Sequence, residues 1–409
     1  MKLLIQLLIL LLPSQLSKHF WPEFAFIYGR RIDYLAPTLY LSDILVLVIL
    51  LVYFFKQKKS TLLTVSGGFS LVGIPFKLTF AGTVYCLLNI FLSLQPWLAF
   101  YGWLRILVLL GLFIVLKNYN YLLRAIRDML PVALFYSSII ALVQFIKQAS
   151  IGGWFYWLGE RQLVLGLPGI ARELVGTQVV LPAYATFSHP NSLAGFLLLG
   201  SLILAQINLS FLTLMVFVAA LIALVITFSY TAFCGLCLAL LFLILISWLK
   251  KPRQQKFFSY SIFAGLLLLA ILIPAVLRYL PSTQVSVQRR VELNQLGWQA
   301  FQTQPVWGIG WLNFIPWLSQ QNIQILELWL QPAHHVFILL LAEVGLIGLG
   351  LVLILLFKSF KRTIKQQNWF LAAGLLVVVF TGSLDHYWLT LIQNRLLLVL
   401  LFALIWRNP

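Results

Sequence analysis

The stretch FSHPNSLAGFLLLGSLILAQI, residues 187–207, decides the fold class of this chain. It places His189, Pro190 and Asn191 directly before a run of apolar and small residues. Runs of about 18 or more such residues are typical of transmembrane helices. Polar groups at the mouth of such a helix are costly unless they cap the helix or contact a ligand. The stretch therefore predicts a membrane-spanning helix with a polar group of residues at its start.

The composition of the whole chain agrees with that class. Of its 409 residues, 62% are apolar and 9% are charged, which leaves too little polar surface to cover a soluble globule of this size. The candidate spans are residues 2–17, 38–55, 72–94, 97–116, 129–149, 191–208, 211–228, 230–249, 257–277, 335–357, 369–385 and 388–406. We therefore predict an all-α polytopic membrane protein, a single membrane domain over residues 1–409 with about 12 transmembrane helices.

The distribution of lysine and arginine predicts the orientation, because short cytoplasmic loops retain positive charge. Basic residues gather at 56–59, 117–127, 250–256 and 358–365, between alternate pairs of spans. We assign this face and both termini to the cytoplasmic side of the cytoplasmic membrane. The net charge of +18 then reflects topology and attraction to anionic lipid headgroups. It does not indicate a nucleic-acid partner, because the charges are divided among short loops.

The opposite, extracytoplasmic face carries the long loops, and we expect the active site there. These loops are residues 18–37, 150–190 and 278–334. The third loop contains VSVQRRVELNQLGWQAF, which places apolar side chains at helical spacing and predicts an amphipathic helix on the membrane surface. The apolar residues of that stripe are Val287, Val291, Trp298 and Phe301. We expect Arg289 and Arg290 to lie at headgroup level beside it.

Histidines stand at two predicted helix mouths. At the start of the predicted span 191–208, Asn191 can cap the helix and Pro190 suits its first turn. We therefore expect His189 to form a hydrogen bond with the third loop. The third loop ends in PAHHVFILLLAEVGLIGLG, where His334 and His335 open the next helix. Imidazole has an unperturbed pKa of about 6.5, which suits a general base near neutral pH.

Ionisable residues also occur within or beside the predicted spans. We expect Glu343 to pair with one of the intramembrane arginines, Arg105 or Arg395, because an isolated charge in a membrane is costly. In SLDHYWLT, Asp385 and His386 follow a predicted span. Two interpretations of this pair stay open: it orients a base, or it belongs to an interfacial anchor with the aromatic residues beside it.

Three motifs together carry a resemblance to a known family. They are HPNSLAGF after a long loop, an arginine before a P-x-x-G-I-G turn, and H-x-x-F-x-x-x-x-A-E-x-G-x-x-G at the start of a helix. Over roughly residues 170–350 the chain resembles the O-antigen ligase and O-antigen polymerase superfamily. The resemblance implies transfer of a glycan from undecaprenyl diphosphate to a glycan, lipid or protein acceptor, without a nucleotide sugar or a cofactor. It also implies that Arg290 holds the diphosphate and that His334 is the essential histidine.

The chain departs from the family pattern at two places. Many members have a Ser-Arg pair at the end of a mid-chain helix, whereas this chain has TFSYTAF, with Tyr230 in place of the arginine. A tyrosine donates one hydrogen bond but brings no charge, so Arg172 and Arg289 are candidates for the missing cation. The usual His-Asn pair is His334-His335 here.

The required chemistry gives the same candidates. Guanidinium groups stabilise the negative charge of a departing diphosphate, and a histidine accepts the proton of the acceptor hydroxyl. Acidic residues of the predicted outer loops show no metal-ligand spacing, and we predict no metal. The predicted catalytic residues are His334 and Arg290. The predicted substrate-binding residues are Arg172, Arg289, His189, Asn191, Tyr230, His335, Asp385 and His386.

The sequence leaves three functions in view. An O-antigen ligase-like glycan transferase explains the loops, the arginines and the histidines together. A polysaccharide polymerase that acts on lipid-linked repeat units shares its donor and chemistry, and the sequence does not separate the two. A transporter or flippase explains the helices, but we find no internal repeat with helices broken at matching positions.

Overall fold

The computed structural model describes residues 1–61, 76–167, 169–249, 284–321 and 330–407. In these ranges, five helices are long and apolar enough to span a membrane, and four shorter apolar helices accompany them. The prediction of a helical multi-pass membrane protein is confirmed at this level, and the number of twelve spans stays a prediction. The predicted span 257–277 and part of the predicted span 72–94 lie outside the described residues.

The described helices, in chain order, are α1 (Lys2–Leu10), α2 (Leu41–Thr61), α3 (Phe76–Phe91), α4 (Pro96–Lys117), α5 (Leu122–Lys147), α6 (Pro190–Ile207), α7 (Phe211–Val225), α8 (Tyr230–Leu249), α9 (Gln284–Thr303), α10 (Phe314–Ser319), α11 (Val336–Lys365), α12 (Trp369–Gly382), α13 (Tyr387–Thr390) and α14 (Ile392–Trp406). The strands are β1 (Ser17–His19), β2 (Phe26–Ile27), β3 (Arg30–Arg31), β4 (Thr38–Tyr40), β5 (Glu173–Val175) and β6 (Gln178–Val180). They form three antiparallel pairs, β1 with β4, β2 with β3 and β5 with β6. The loops predicted at 18–37 and 150–190 therefore contain small sheets that the all-α prediction lacked.

Two predicted spans are not single helices over their predicted range in the structure. The first, 2–17, is wrong in its second half, because α1 ends at Leu10 and Ser17 already pairs with Tyr40 of β4. Pro13 lies in the interval, and proline has no amide to continue a helix. The last, 388–406, is divided between α13 and α14, because Leu391 has an extended backbone between them.

Helix α6, which the opening stretch predicts, is at the centre of the bundle. It packs against α5, α7, α8, α12 and α14, and every residue from 190 to 200 is buried. Two glycines allow the close approach of neighbours. A β-carbon at Gly195 would lie 2.6 Å from Tyr387, and one at Gly200 would lie 2.8 Å from Leu134. Asn191 and Ser192, the polar residues in the first turn of α6, are therefore enclosed by protein.

The P-x-x-G-I-G turn is bound to a break in α11. Gly345 interrupts the helix with a φ of 63°. The turn bonds to the backbone on both sides of this break, where the Leu346 amide donates to the Pro305 carbonyl and the Ile309 amide donates to the Ala342 carbonyl, both at 2.9 Å. The turn thus satisfies backbone groups that the helix break leaves without intrahelical partners.

The glycines of the two motifs are required by this contact. A β-carbon at Gly308 would lie 2.4 Å from the backbone of Glu343, and one at Gly345 would lie 2.3 Å from the Val306 carbonyl oxygen. Both glycines also have positive φ, which disfavours residues with a β-carbon. The Glu343 carboxylate accepts a hydrogen bond from the Phe314 amide at 3.3 Å, at the start of α10.

The predicted ion pair of Glu343 is wrong, because neither Arg105 nor Arg395 pairs with it. Arg105 pairs with Asp43 at 2.6 Å, and Arg395 donates from Nε to the carbonyl oxygen of Leu389. The Glu343 carboxylate instead accepts from the backbone amide of Phe314 at the start of α10, so its hydrogen-bond partner is main chain and not a cation.

Helix α9 forms where the sequence predicts the amphipathic helix, but its packing face differs from the predicted stripe. Leu293 and Ala300 are buried, and α9 packs against α11. Val287, Val291 and Trp298 are exposed, at 54%, 48% and 48%. This exposed apolar stripe suits a membrane surface, and its position at that surface stays a prediction.

Candidate functional site

Polar side chains from four parts of the chain meet beside the start of α6, around the buried carboxylate of Asp385. Asn191 Nδ2 donates to Asp385 Oδ2 at 2.7 Å. The backbone amide of His386 donates to Asp385 Oδ1 at 2.7 Å. Arg290 Nη2 lies 3.7 Å from Asp385 Oδ2. We call Asn191, Arg290, His334, Asp385 and His386 the Asp385 cluster.

Arg290 is held on α9 by two different groups. In addition to the Asp385 contact, its Nη1 donates to the carbonyl oxygen of Leu384 at 3.0 Å. The Arg290 side chain remains 26% exposed. The guanidinium is thus oriented by protein and still accessible to a ligand, as a binding cation must be.

Two imidazole rings lie against each other in the cluster. The ring centroids of His334 and His386 are 4.8 Å apart, with an interplanar angle of 71°. His386 Nδ1 is hydrogen-bonded with Thr390 Oγ1 at 2.8 Å, and its ring contacts Tyr34 edge-on at 5.7 Å. His334 Nδ1 is buried, and none of the described residues forms a hydrogen bond with it.

The charges of the cluster follow from burial and from its neighbours. Burial and the nearby His386 lower the pKa of His334 to about 3, although Asp385 acts in the opposite direction. Burial by itself would raise the pKa of Asp385, but Arg290 and the surrounding histidines lower it below its usual range. At neutral pH the site therefore combines an unprotonated imidazole, a carboxylate and a guanidinium.

The structure exchanges the roles predicted for His189 and Asn191. His189 is the N-cap of α6, and its Nδ1 accepts from the Asn191 amide at 3.1 Å. Asn191 instead bonds across to Asp385. Because Pro190 occupies the first helical position, Asn191 is already inside the helix and its side chain does not cap it.

His335 has a capping role that separates it from its neighbour His334. It is the N-cap of α11, and its Nδ1 accepts from the Ile338 amide at 3.4 Å. Burial lowers its pKa. Of the two adjacent histidines, the structure places His334 in the Asp385 cluster.

The other predicted site residues occupy different positions. Arg172 is exposed directly before β5, and Arg289 is exposed on α9. Tyr230 begins α8 and is partly buried. The substrate-binding roles of these three residues stay predictions.

Two residues near the cluster are not among the site residues predicted from the sequence. Tyr34, from the loop 18–37, contacts His386. Arg161, from the loop 150–190, donates from Nη1 to the Ser188 carbonyl at 3.1 Å, immediately before His189. Neither residue belongs to a recognisable motif, and only their position in long loops could have suggested them.

The donor set of the cluster also has spacing that a metal ion can use. His334, Asp385 and His386 each offer a ligand atom, and these atoms lie within 4.8 Å of one another. Asp385 Oδ2, however, already accepts from Asn191 and faces the Arg290 cation, which would repel a metal ion at the same carboxylate. The absence of a metal stays a prediction.

Together, the fold and the cluster define a multi-pass helical membrane protein with a polar site assembled where several helices begin or end. Residues 215–354 match the family model described as O-Antigen ligase. This match covers about a third of the chain and supports membership of the O-antigen ligase family, which the motifs predict. The matched segment contains Arg290 and His334, whereas Asn191 and Asp385 come from outside it. A comparison with curated proteins found no match.

Proposed function

We propose that this protein transfers a glycan from an undecaprenyl-diphosphate-linked donor to a glycan, lipid or protein acceptor on the outer face of the cytoplasmic membrane. The observation that carries the proposal is the meeting of Arg290 and an unprotonated His334 at Asp385, in a chain that matches the O-antigen ligase family model over residues 215–354. A fixed cation suits the departure of an anion. An imidazole that is unprotonated at neutral pH can accept a proton, and its lowered pKa makes it a weaker base than a free histidine.

In the proposed reaction, the acceptor hydroxyl oxygen forms a bond to the anomeric carbon of the donor. The bond between that carbon and the phosphate oxygen breaks, and its electron pair leaves with undecaprenyl diphosphate. Arg290 stabilises the negative charge of the departing diphosphate through paired hydrogen bonds. His334 accepts the proton of the acceptor hydroxyl.

The neighbouring residues support this arrangement. Asp385 orients Arg290, and Asn191 orients Asp385 through the 2.7 Å hydrogen bond. His189 fixes the start of α6, which carries Asn191. These are positioning roles, because each acts through another residue.

Release of free undecaprenyl diphosphate tests the proposed function. Purified protein in lipid nanodiscs would be incubated with a glycan-linked donor and a candidate acceptor, and both products would be quantified by mass spectrometry. We expect equal amounts of free undecaprenyl diphosphate and glycosylated acceptor. Repeat units joined on the lipid carrier would indicate a polymerase. Movement of intact donor across the membrane of proteoliposomes, without release, would indicate a flippase and contradict the proposal.

The proposed orientation has its own test. We place both termini in the cytoplasm and the Asp385 cluster outside, because the basic loops lie on the opposite side of the predicted spans. Gln320→Cys lies directly after α10 in the predicted loop 278–334. In a variant without the three native cysteines, this thiol should react with a membrane-impermeant reagent in intact cells. Reaction only after lysis would overturn the assignment.

A further inference from the structure

A second guanidinium reaches the start of α6 from the loop 150–190. Arg161 donates to the Ser188 carbonyl at 3.1 Å, one residue before the His189 cap. An arginine has five N–H donors, and in the described part of the chain this is the hydrogen bond that Arg161 makes. The residue is partly exposed. Most of its donors therefore remain for a ligand.

The backbone at Arg161 is held in place by the residue before it. Glu160 is buried, and its carboxylate accepts from the amides of Ile151 and Gly152 at 2.6 and 2.8 Å and from Gln144 Nε2 at 2.7 Å. These charge-assisted hydrogen bonds fix the loop to itself and to α5. Arg161 thus projects from an anchored position.

Arg161 and the Asp385 cluster act on the same neighbour, Tyr34. Burial and the carboxylates of Asp385 and Asp33 raise the pKa of Tyr34, and Arg161 acts in the opposite direction. Tyr34 in turn contacts His386 of the cluster. Arg161 reaches the start of α6 from the loop 150–190 through its hydrogen bond to Ser188, whereas Arg290 comes from α9.

The two arginines differ in how much of their charge is compensated. Arg290 faces the Asp385 carboxylate at 3.7 Å, which offsets part of its charge. Among the described residues, no carboxylate forms an ion pair with Arg161. A diphosphate carries more negative charge than one partly neutralised guanidinium balances, so a second, uncompensated cation fits this ligand.

We propose that Arg161 is a second cation of the site and binds the diphosphate of the lipid-linked donor. The inference rests on the proposed function, and it assigns to Arg161 the role predicted from the sequence for Arg172 or Arg289. An acidic group on the glycan would offer similar chemistry, so the test uses a ligand without a glycan.

The test measures the Kd of undecaprenyl diphosphate for the full-length protein in nanodiscs. Arg161→Ala should raise the Kd at least about tenfold, which corresponds to ~1.4 kcal/mol. Arg161→Lys keeps the charge but loses the planar fork, and it should lie between the two. Arg161→Gln keeps a donor for Ser188 and removes the charge, so it decides the question if the alanine variant does not fold.

Lys147 provides the matched control, because it is also a cation that donates to a carbonyl of the same loop, that of Ile151 at 3.0 Å. Lys147→Ala should leave the Kd within about twofold. A wild-type Kd in folded Arg161→Gln would overturn the inference, as would a loss seen only with donors whose glycan is acidic. If Arg290→Ala loses binding and Arg161→Ala does not, only this inference fails. If the wild type binds no undecaprenyl diphosphate, the proposed function fails.

Discussion

Replacing Asp385 with asparagine keeps the shape of the side chain and removes its charge. Both carboxylate oxygens accept hydrogen bonds, Oδ2 from Asn191 and Oδ1 from the His386 amide. An asparagine has one oxygen and one NH2 group. In either orientation its NH2 group therefore faces a donor, and one buried donor loses its acceptor.

The magnitude follows from these contacts. Leaving one buried donor unsatisfied costs about 1–3 kcal/mol. The lost attraction to Arg290 adds little to folding, because that guanidinium is about one quarter exposed and screened by solvent. Arg290 also loses the carboxylate that orients it, and His334 loses the neighbour that acts to raise its pKa. We expect Asp385→Asn to slow transfer roughly 10- to 100-fold, equivalent to ~1.4–2.7 kcal/mol in the barrier.

The assay is single-turnover release of undecaprenyl diphosphate by folded protein, with thermal unfolding in detergent measured in parallel. Asp33→Asn is the control, because this exposed carboxylate lies in the loop that carries Tyr34. It should release undecaprenyl diphosphate at nearly the wild-type rate. A wild-type rate in stably folded Asp385→Asn would refute the idea that Asp385 orients the site.

The remaining predictions concern the cation, the base and the helix break. Arg290→Lys should weaken transfer substantially, because lysine keeps the charge but lacks the planar guanidinium, and Arg290→Ala should weaken it more, because both are lost. Wild-type activity of the alanine variant would show that Arg290 is not part of the site. His334→Ala should abolish transfer while donor binding persists. His189→Ala should only reduce the activity or the amount of folded protein. An inactive His189→Ala with an active His334→Ala would show that the roles of the two histidines are reversed. The pKa of His334 is lowered to about 3, so the imidazole stays unprotonated when the pH falls below 6.5. The decrease of kcat/KM at acidic pH should therefore have its midpoint below 6.5, and a midpoint at or above 6.5 would contradict the prediction. Gly345→Ala should lower the thermal midpoint, because a backbone with φ 63° and ψ −168° costs a residue with a β-carbon about 1–3 kcal/mol and the new β-carbon would overlap a carbonyl. Gly350→Ala, in open space on the same helix, should not lower the midpoint, and equal effects of the two substitutions would count against the helix-break contact.

Local patterns in the sequence were sufficient for the class of this protein and for the existence of most helices. The apolar run after Pro190 predicts α6, because its length and composition are sufficient to indicate a membrane-spanning helix without knowledge of its tertiary contacts. The same holds for the stretch after His335. Both helices begin at the histidines that the sequence placed at their mouths.

Tertiary structure decided which of the polar residues meet. Asn191 and Asp385 are far apart in sequence, and no local pattern states that they share a hydrogen bond. Their contact depends on how α6 packs against α12 and α14, which is a property of the assembled bundle.

The glycines of the P-x-x-G-I-G turn and of α11 illustrate the same difference. The sequence displays both motifs, but only the structure shows that Gly308 and Gly345 allow two backbones to touch. Arg161 and Tyr34 lie in no motif, and their place beside the Asp385 cluster comes from loops anchored by other contacts. Apolar runs are recognised from neighbours in the chain, whereas a site of this kind is made by residues that only packing brings together.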